Sequence, residues 1–241
     1  MEFSQMFMPV RRVEAIDAEA LLGNQRWPFV LPPVRQLLHE GLDLGQVTVI
    51  VGENGTGKST LVEALAMAYG MNAEGGSTGA MNTTRTSESE LWRQLKLQRG
   101  AAASRKGFFL RAETMHNFYT YLEESKFKTK LHERSHGESF LDLVEERIPF
   151  IKGLWILDEP ESALSLAGCV KLMKLLQTIV DGGSQLLIST HAPILAAFPD
   201  ARILEAGSWG LRENDFEQLE LVRGWHDFLD DPHSYWRRES I

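Results

Sequence analysis

The chain has 241 residues, 43% of them hydrophobic, no long biased tract, and a formal net charge of −8. That size suits one α/β domain with a substantial core, while the acidic balance argues against a surface that is basic all over and grips nucleic acid non-specifically. No apolar run reaches the roughly 20 residues that cross a bilayer, and Met1 to Gln5 lack the plan of a signal peptide, so a cytoplasmic protein with no membrane association is expected.

In chain order, Phe7 to Val13 has short-strand character. Pro28, Pro32 and Pro33 mark an irregular crossing before a short helix at Val34 to Leu38. Trp27 and Phe29 stand about one strand and turn ahead of the loop described next, placed either to stack on an adenine ring or to pack the Pro-rich crossing.

Val47 to Val51 is a continuous β-branched run, as a buried parallel strand should be. It leads into Gly52-Glu53-Asn54-Gly55-Thr56-Gly57-Lys58-Ser59-Thr60, an ungapped match to G-x-x-x-x-G-K-[ST]. A phosphate tail needs backbone N–H groups close around anionic oxygens, and Gly52, Gly55 and Gly57 remove the side chains that would obstruct them. Lys58 supplies a compact positive charge, Ser59 a hydroxyl for Mg²⁺, and the helix starting here the positive end of its dipole. Leu61, Leu65 and Ala68 recur at helical spacing up to Gly70.

Asn72 to Ser89 reads as a long loop, Leu91 to Leu97 as a half-exposed strand and Gly107 to Leu110 as a buried one. Glu113, just beyond that strand's C-terminal end, is a candidate contact for Mg²⁺ or its water. Helical character follows from Met115 to Glu124, then the basic run Ser125 to Lys130, which suits a solvated lobe surface, an acidic partner or nucleic acid. Ser135-His136-Gly137-Glu138-Ser139 fits a capped helix start, with Ser135 as N-cap and Glu138 three residues on. An apolar stripe follows at Phe140, Leu141, Leu143, Val144 and Ile148.

Leu154 to Leu157 is an apolar strand that ends in Asp158-Glu159-Pro160. A strand-terminal Asp beside a phosphate loop holds Mg²⁺ through water, and the adjoining Glu orients the attacking water. A turn over Glu161 to Ser165 leads to an amphipathic helix, Leu166 to Val180, closed by Gly182-Gly183; Cys169 falls in its apolar pattern as a small core residue. Gln185 to Ser189 is a further buried strand, and His191 just past its end is within reach of a γ-phosphate or the attacking water. Ala201 to Glu205 and Gly210 to Glu213 read as a hairpin across Gly207. From Asp215 a helical tail follows, broken at Pro232.

With these motifs in this order, the chain resembles the ATP-binding-cassette ATPases, specifically their small stand-alone members related to chromosome-maintenance and DNA-repair ATPases. The resemblance spans about Val34 to Pro193. It implies a P-loop fold with a mostly parallel sheet flanked by helices, in a single domain over 1–241 with a small helical lobe inserted at about 114–149. It further implies ATP and Mg²⁺ as ligands: Gly52 to Thr60, including Asn54 and Thr56, as the Walker A loop; Asp158 as the Walker B aspartate, with Ser59 and Glu113 completing the metal shell; Glu159 as the catalytic base; and His191 as the switch histidine. Ser135, Gly137 and Glu138 correspond to the signature motif, which in the family meets the ATP held by an opposite subunit, so an ATP-dependent homodimer is expected. The sequence differs from the usual Leu-Ser-Gly-Gly-Gln at Arg134, His136 and Glu138, has Glu113 where Gln is common, and ends the turn Ser162-Ala163-Leu164-Ser165 in serine where Asp is common.

The expected activity is ATP hydrolysis that drives a conformational change in a partner, protein or nucleic acid. The alternative is a nucleotide-gated clamp whose slow hydrolysis times release. A small-molecule kinase fits less well, because a phosphoryl acceptor must be shielded from water and Glu159 is placed to activate it.

Overall fold

The structure is a computed structural model and describes residues 6–78, 89–111 and 136–238. Its centre is a seven-stranded sheet in the order β10-β9-β3-β8-β7-β6-β4. These strands are β3 (Val47–Val51), β4 (Gly76–Ser77), β6 (Gly107–Arg111), β7 (Leu154–Asp158), β8 (Gln185–Thr190), β9 (Arg202–Gly207) and β10 (Gly210–Glu213). β9, β3, β8, β7 and β6 run parallel, while β10 and β4 close the two edges antiparallel. A small antiparallel sheet, β2 (Leu42–Asp43), β1 (Arg12–Ala15) and β5 (Leu95–Gln98), packs to one side.

The alternation of side chains divides the central strands between two cores, because successive residues of a strand face opposite sides of the sheet. Val49, Phe108, Trp155, Leu157 and Ile188 point into one core, with helices α4 (His136–Arg147) and α5 (Leu166–Asp181). Ile50, Phe109, Ile156 and Leu187 point into the other, with α2 (Pro32–Glu40) and α3 (Lys58–Tyr69). Both faces are covered, which explains why these strands read as apolar runs with no polar alternation. Cys169 is buried in α5 as expected.

Two expected strands differ. Leu91 to Leu97 begins as a 3-10 turn, Glu90–Gln94, because the Ser89 hydroxyl accepts the Leu91 N–H and caps it; only Leu95–Gln98 is extended. At the N-terminus pairing starts at Arg12, not Phe7, since β1 takes its register from β2 and β5. Within the expected Asn72 to Ser89 loop, Gly76–Ser77 pairs with β6. The expected helix at Met115 to Glu124, the basic run Ser125 to Lys130, and most of the expected lobe lie outside the described residues. Helix α4, at the lobe's C-terminal end, is present, and Leu141, Leu143 and Val144 are buried along it.

Besides the short helices α1 (Ala18–Leu22) and α6 (Pro193–Ala196), two C-terminal helices follow the sheet, α7 (Glu220–Asp230) and α8 (Pro232–Arg238), and a buried carboxylate fastens the start of α7 to it. Glu205 Oε1 accepts the Glu220 N–H at 2.7 Å, and Oε2 accepts Arg212 Nε at 2.8 Å and Asn214 Nδ2 at 3.0 Å. Desolvation alone would raise the Glu205 pKa, but the Glu220 N–H, Arg212 and Asn214 outweigh it and hold it below its ordinary 4.5. With a lowered folded pKa, the Glu205 contribution is complete above the unfolded value and is lost as pH falls through the folded one. Glu205→Ala is expected to destabilise the fold by about 2–3 kcal/mol at neutral pH. In denaturant titrations the gap between wild type and Glu205→Gln should narrow as pH drops below 4.5; a gap that stays constant refutes the clamp.

The turn after β3 has a different constraint. Gly52 has φ +151°, and a Cβ there would lie 2.5 Å from the Ala206 carbonyl oxygen of β9. Gly52→Ala is therefore expected to cost about 1–3 kcal/mol from backbone strain alone, with the β9 clash added, read as a lowered unfolding midpoint.

Candidate functional site

The parallel strands all end at one edge, and their register aligns the polar residues found there. Arg111 of β6 is opposite Asp158 of β7, Asp158 is opposite Ser189 of β8, and Thr190 of β8 is opposite Val51 of β3. The loop Gly52 to Gly57 rises from β3 at that edge. Ligands in open α/β sheets collect outside the carboxyl ends of the strands.

The loop folds over its own lysine. Lys58 Nζ donates to the Gly52 carbonyl at 2.7 Å and to the Glu53 carbonyl at 2.8 Å, and lies 3.9 Å from Glu159 Oε1. Its side chain is 2% exposed. Burial lowers its pKa, against the opposing pull of Glu159, Asp158, Glu161 and Glu53. Gly55 and Gly57 take φ of +81° and +98°. Thr56 Oγ1 closes the turn on the Glu53 carbonyl at 2.9 Å. Helix α3 starts after Gly57 with no side-chain cap, so its first N–H groups are open to an anion. Ser59 and Thr60 are half-buried on its first turn, and Asn54 is exposed on the outer face of the loop.

Asp158 is buried, and burial raises its pKa against the Ser189 hydroxyl, the Arg111 charge and a hydrogen bond from Ser59. Arg111 Nε is 3.3 Å from Asp158 Oδ2, and its Nη1 pairs with Glu63. The Ser59 hydroxyl and the Asp158 carboxylate form a hard-oxygen pair that fits Mg²⁺, an ion usually held by one or two carboxylates together with phosphates and waters. Glu113, Ser135 and the side chain of Glu138 lie outside the described residues; Gly137 is on the first turn of α4.

Glu159 has φ +48° and ψ +50°, a left-handed conformation uncommon outside glycine. Its N–H donates to the Ser189 carbonyl at 3.0 Å, and the Ser162 hydroxyl donates to its carbonyl at 2.9 Å. This pinned backbone puts the carboxylate between Lys58 and His191: His191 Nδ1 is 3.7 Å from Glu159 Oε2. Strained backbone held by its surroundings is a recurrent feature of functional sites.

The structure adds residues that the motifs did not mark. Glu161 accepts from Thr190 Oγ1 at 2.6 Å and from the His191 N–H at 2.9 Å. Arg111 and Ser189 brace Asp158; their signal in the sequence was only their position at strand ends. An open groove of about 790 Å³ runs from Gly52, Glu53, Asn54 and His191 to an aromatic wall of Trp209, Trp225, Phe228 and Tyr235. That wall is ordered by its own contacts: Arg212 stacks over Trp209 at 3.8 Å, and Phe228 meets Trp225 and Tyr235 edge to face. Of the aromatics expected near the phosphate loop, Phe29 is 8% exposed within the α2–α3 core, whereas Trp27 is 58% exposed.

Residues 34–142 match the family described as AAA domain. The chain is 26% identical over 248 residues to "Ribose import ATP-binding protein RbsA 3" of Rhizobium etli, across 89% of this chain and 48% of that protein, so it spans about half that relative's length. A putative metal-chelate type ABC transporter in an inward-facing conformation is similar over 73% of this chain and 75% of its own, at 18% identity and TM-score 0.45. The SmcHead bound to the C-winged helix domain of ScpA is similar over 74% and 94%, at 13% identity and TM-score 0.46. The domain match falls on the part of the chain that carries the phosphate loop and the relative spans most of the rest; with the motif order and the strand arrangement, these likenesses support an ABC-type P-loop ATPase.

Proposed function

We propose that the chain binds ATP with Mg²⁺ and hydrolyses it, and that a second copy completes the site. The observation that carries this reading is the position of Glu159, 3.9 Å from Lys58 Nζ and 3.7 Å from His191 Nδ1, on a left-handed backbone at the end of β7. The arrangement sets a base candidate between a phosphate-binding lysine and a histidine that faces the groove.

The roles follow from the contacts. Lys58, released from the two loop carbonyls, supplies a cation to the terminal phosphates, while the loop N–H groups and the α3 N-terminus hold their oxygens. Ser59 and Asp158 hold the metal, which when bound neutralises charge on the phosphoryl oxygens. Glu159 orients and deprotonates the attacking water, and His191 aligns it or the γ-phosphate. Glu113 is proposed to join the metal shell, and Ser135, Gly137 and Glu138 to meet the nucleotide of the other copy. Among the described residues the groove alongside the phosphate loop is open, which supports a second chain as a further wall. The hydrolytic cycle then opens and closes the dimer around a partner. We place the site in the cytoplasm.

Lys58→Ala is expected to abolish measurable nucleotide binding in equilibrium titration, because it removes the buried cation that the phosphate loop folds around. Glu159→Gln should bind ATP as wild type does while phosphate release slows about 10²- to 10⁴-fold, the usual contribution of a general base. In light scattering with ATP and Mg²⁺ that variant should run as a dimer. Wild-type turnover by Glu159→Gln would exclude the base assignment, and a monomer at saturating ATP would exclude the two-chain site.

A further inference from the structure

We infer that Glu161 is a positioning residue for His191. One oxygen of its carboxylate sets both the loop that carries the histidine and the direction in which the imidazole faces. The inference rests on the hydrolytic reading above for its consequence, but the geometry it describes stands without it.

Glu161 lies in the turn after β7, and its side chain is only 7% exposed. Oε1 accepts the Thr190 hydroxyl at 2.6 Å and the His191 N–H at 2.9 Å, and lies 3.4 Å from His191 Nδ1. Thr190 Oγ1 in turn accepts the Ala192 N–H at 3.0 Å. The backbone of residues 190–192, where β8 ends and the chain turns, is thus gathered on a single carboxylate from the turn after the neighbouring strand. A carboxylate this buried is costly unless its charge is used. Glu161 Oε2 and His191 Nδ1 also have no hydrogen-bond partner among the described residues. An apolar side chain would fill that space without such a cost, so packing alone does not account for a glutamate here.

The imidazole explains it. Nδ1 is a buried atom of a ring whose side chain is 41% exposed, and the residue lines the groove beside Gly52 and Asn54, which leaves Nε2 as the ring nitrogen available to the groove. A small rotation of the ring closes the 3.4 Å separation into an Nδ1–H···Oε1 bond. A carboxylate at one ring nitrogen fixes the tautomer and the orientation of the other. Glu161 also keeps the ring from settling on Glu159, whose Oε2 is 3.7 Å from the same Nδ1, and so leaves the Glu159 carboxylate open to water.

The test uses the full chain with ¹⁵N-labelled histidine, the His191 signals being assigned by their loss in His191→Gln. Glu161→Ala should shift the His191 Nδ1 resonance away from its protonated, hydrogen-bonded position. It should lower kcat about 10- to 100-fold, the usual effect of losing a group that orients a histidine, with ATP affinity within about twofold of wild type. Glu161→Gln keeps an acceptor for Thr190 and the His191 N–H and should recover part of both readouts; Thr190→Val should show a smaller loss of the same kind. If Glu161→Ala does not fold, these two variants decide the matter by the same measurements. Unchanged His191 signals, or wild-type kcat in Glu161→Ala, overturn the inference. Shifted signals in a protein whose wild type releases no phosphate overturn the hydrolytic reading and support the positioning role.

Discussion

The site depends on an ammonium group buried beneath its own loop. Lys58 replaces lost hydration with two carbonyls of its own loop and the field of the carboxylates around it. Those carboxylates gain from the lysine in turn, because acidic groups gathered at strand ends and turns repel one another, and Lys58 adds to the charge that Arg111 sets beside Asp158. The same charge therefore holds the loop in shape and keeps the acidic edge of the sheet together. A phosphate tail that takes the lysine leaves the loop carbonyls and the carboxylates to be compensated by something else, which a divalent cation beside Asp158 would do.

The parallel register turns that local balance into a shared edge. Strands β6, β7, β8 and β3 end within a residue of each other, so side chains from distant parts of the sequence meet without any long excursion of the loops. Asp158 receives Ser189 from one neighbour and Arg111 from the other, and Glu159 donates its N–H across to β8. Backbone pairing thus fixes the positions of the carboxylates before any ligand arrives, and preorganised groups of this kind lose little on binding.

What could be read in the sequence was whatever is local. The phosphate loop and its helix, the apolar runs of β3, β6, β7 and β8, and the carboxylate pair after β7 each lie within a dozen residues, and each was visible there. The 3-10 turn at Glu90–Gln94 was hidden because Leu91 to Leu97 alternates apolar and polar side chains well enough to pass for a strand, while a single serine cap decides otherwise. Arg111, Ser189 and Glu161 acquire meaning only when strands are set side by side, and no periodicity marks them. The same holds for Glu205, which joins a hairpin to a helix fifteen residues later through one backbone N–H, and for the aromatic wall, which brings Trp209 of the hairpin turn against Trp225, Phe228 and Tyr235 of a tail that carries no motif.

The closeness of Gly52 to the Ala206 carbonyl has a mechanical meaning. With no room for even a methyl group between them, the phosphate loop and strand β9 cannot slide past each other. Strand β9 also carries Glu205, which grips the first turn of α7. The loop, the strand and the first turn of the C-terminal helix are thus joined in series, so the spacing between phosphate loop and aromatic wall is referred to one strand, and a side chain added at Gly52 would press on both sides of the groove.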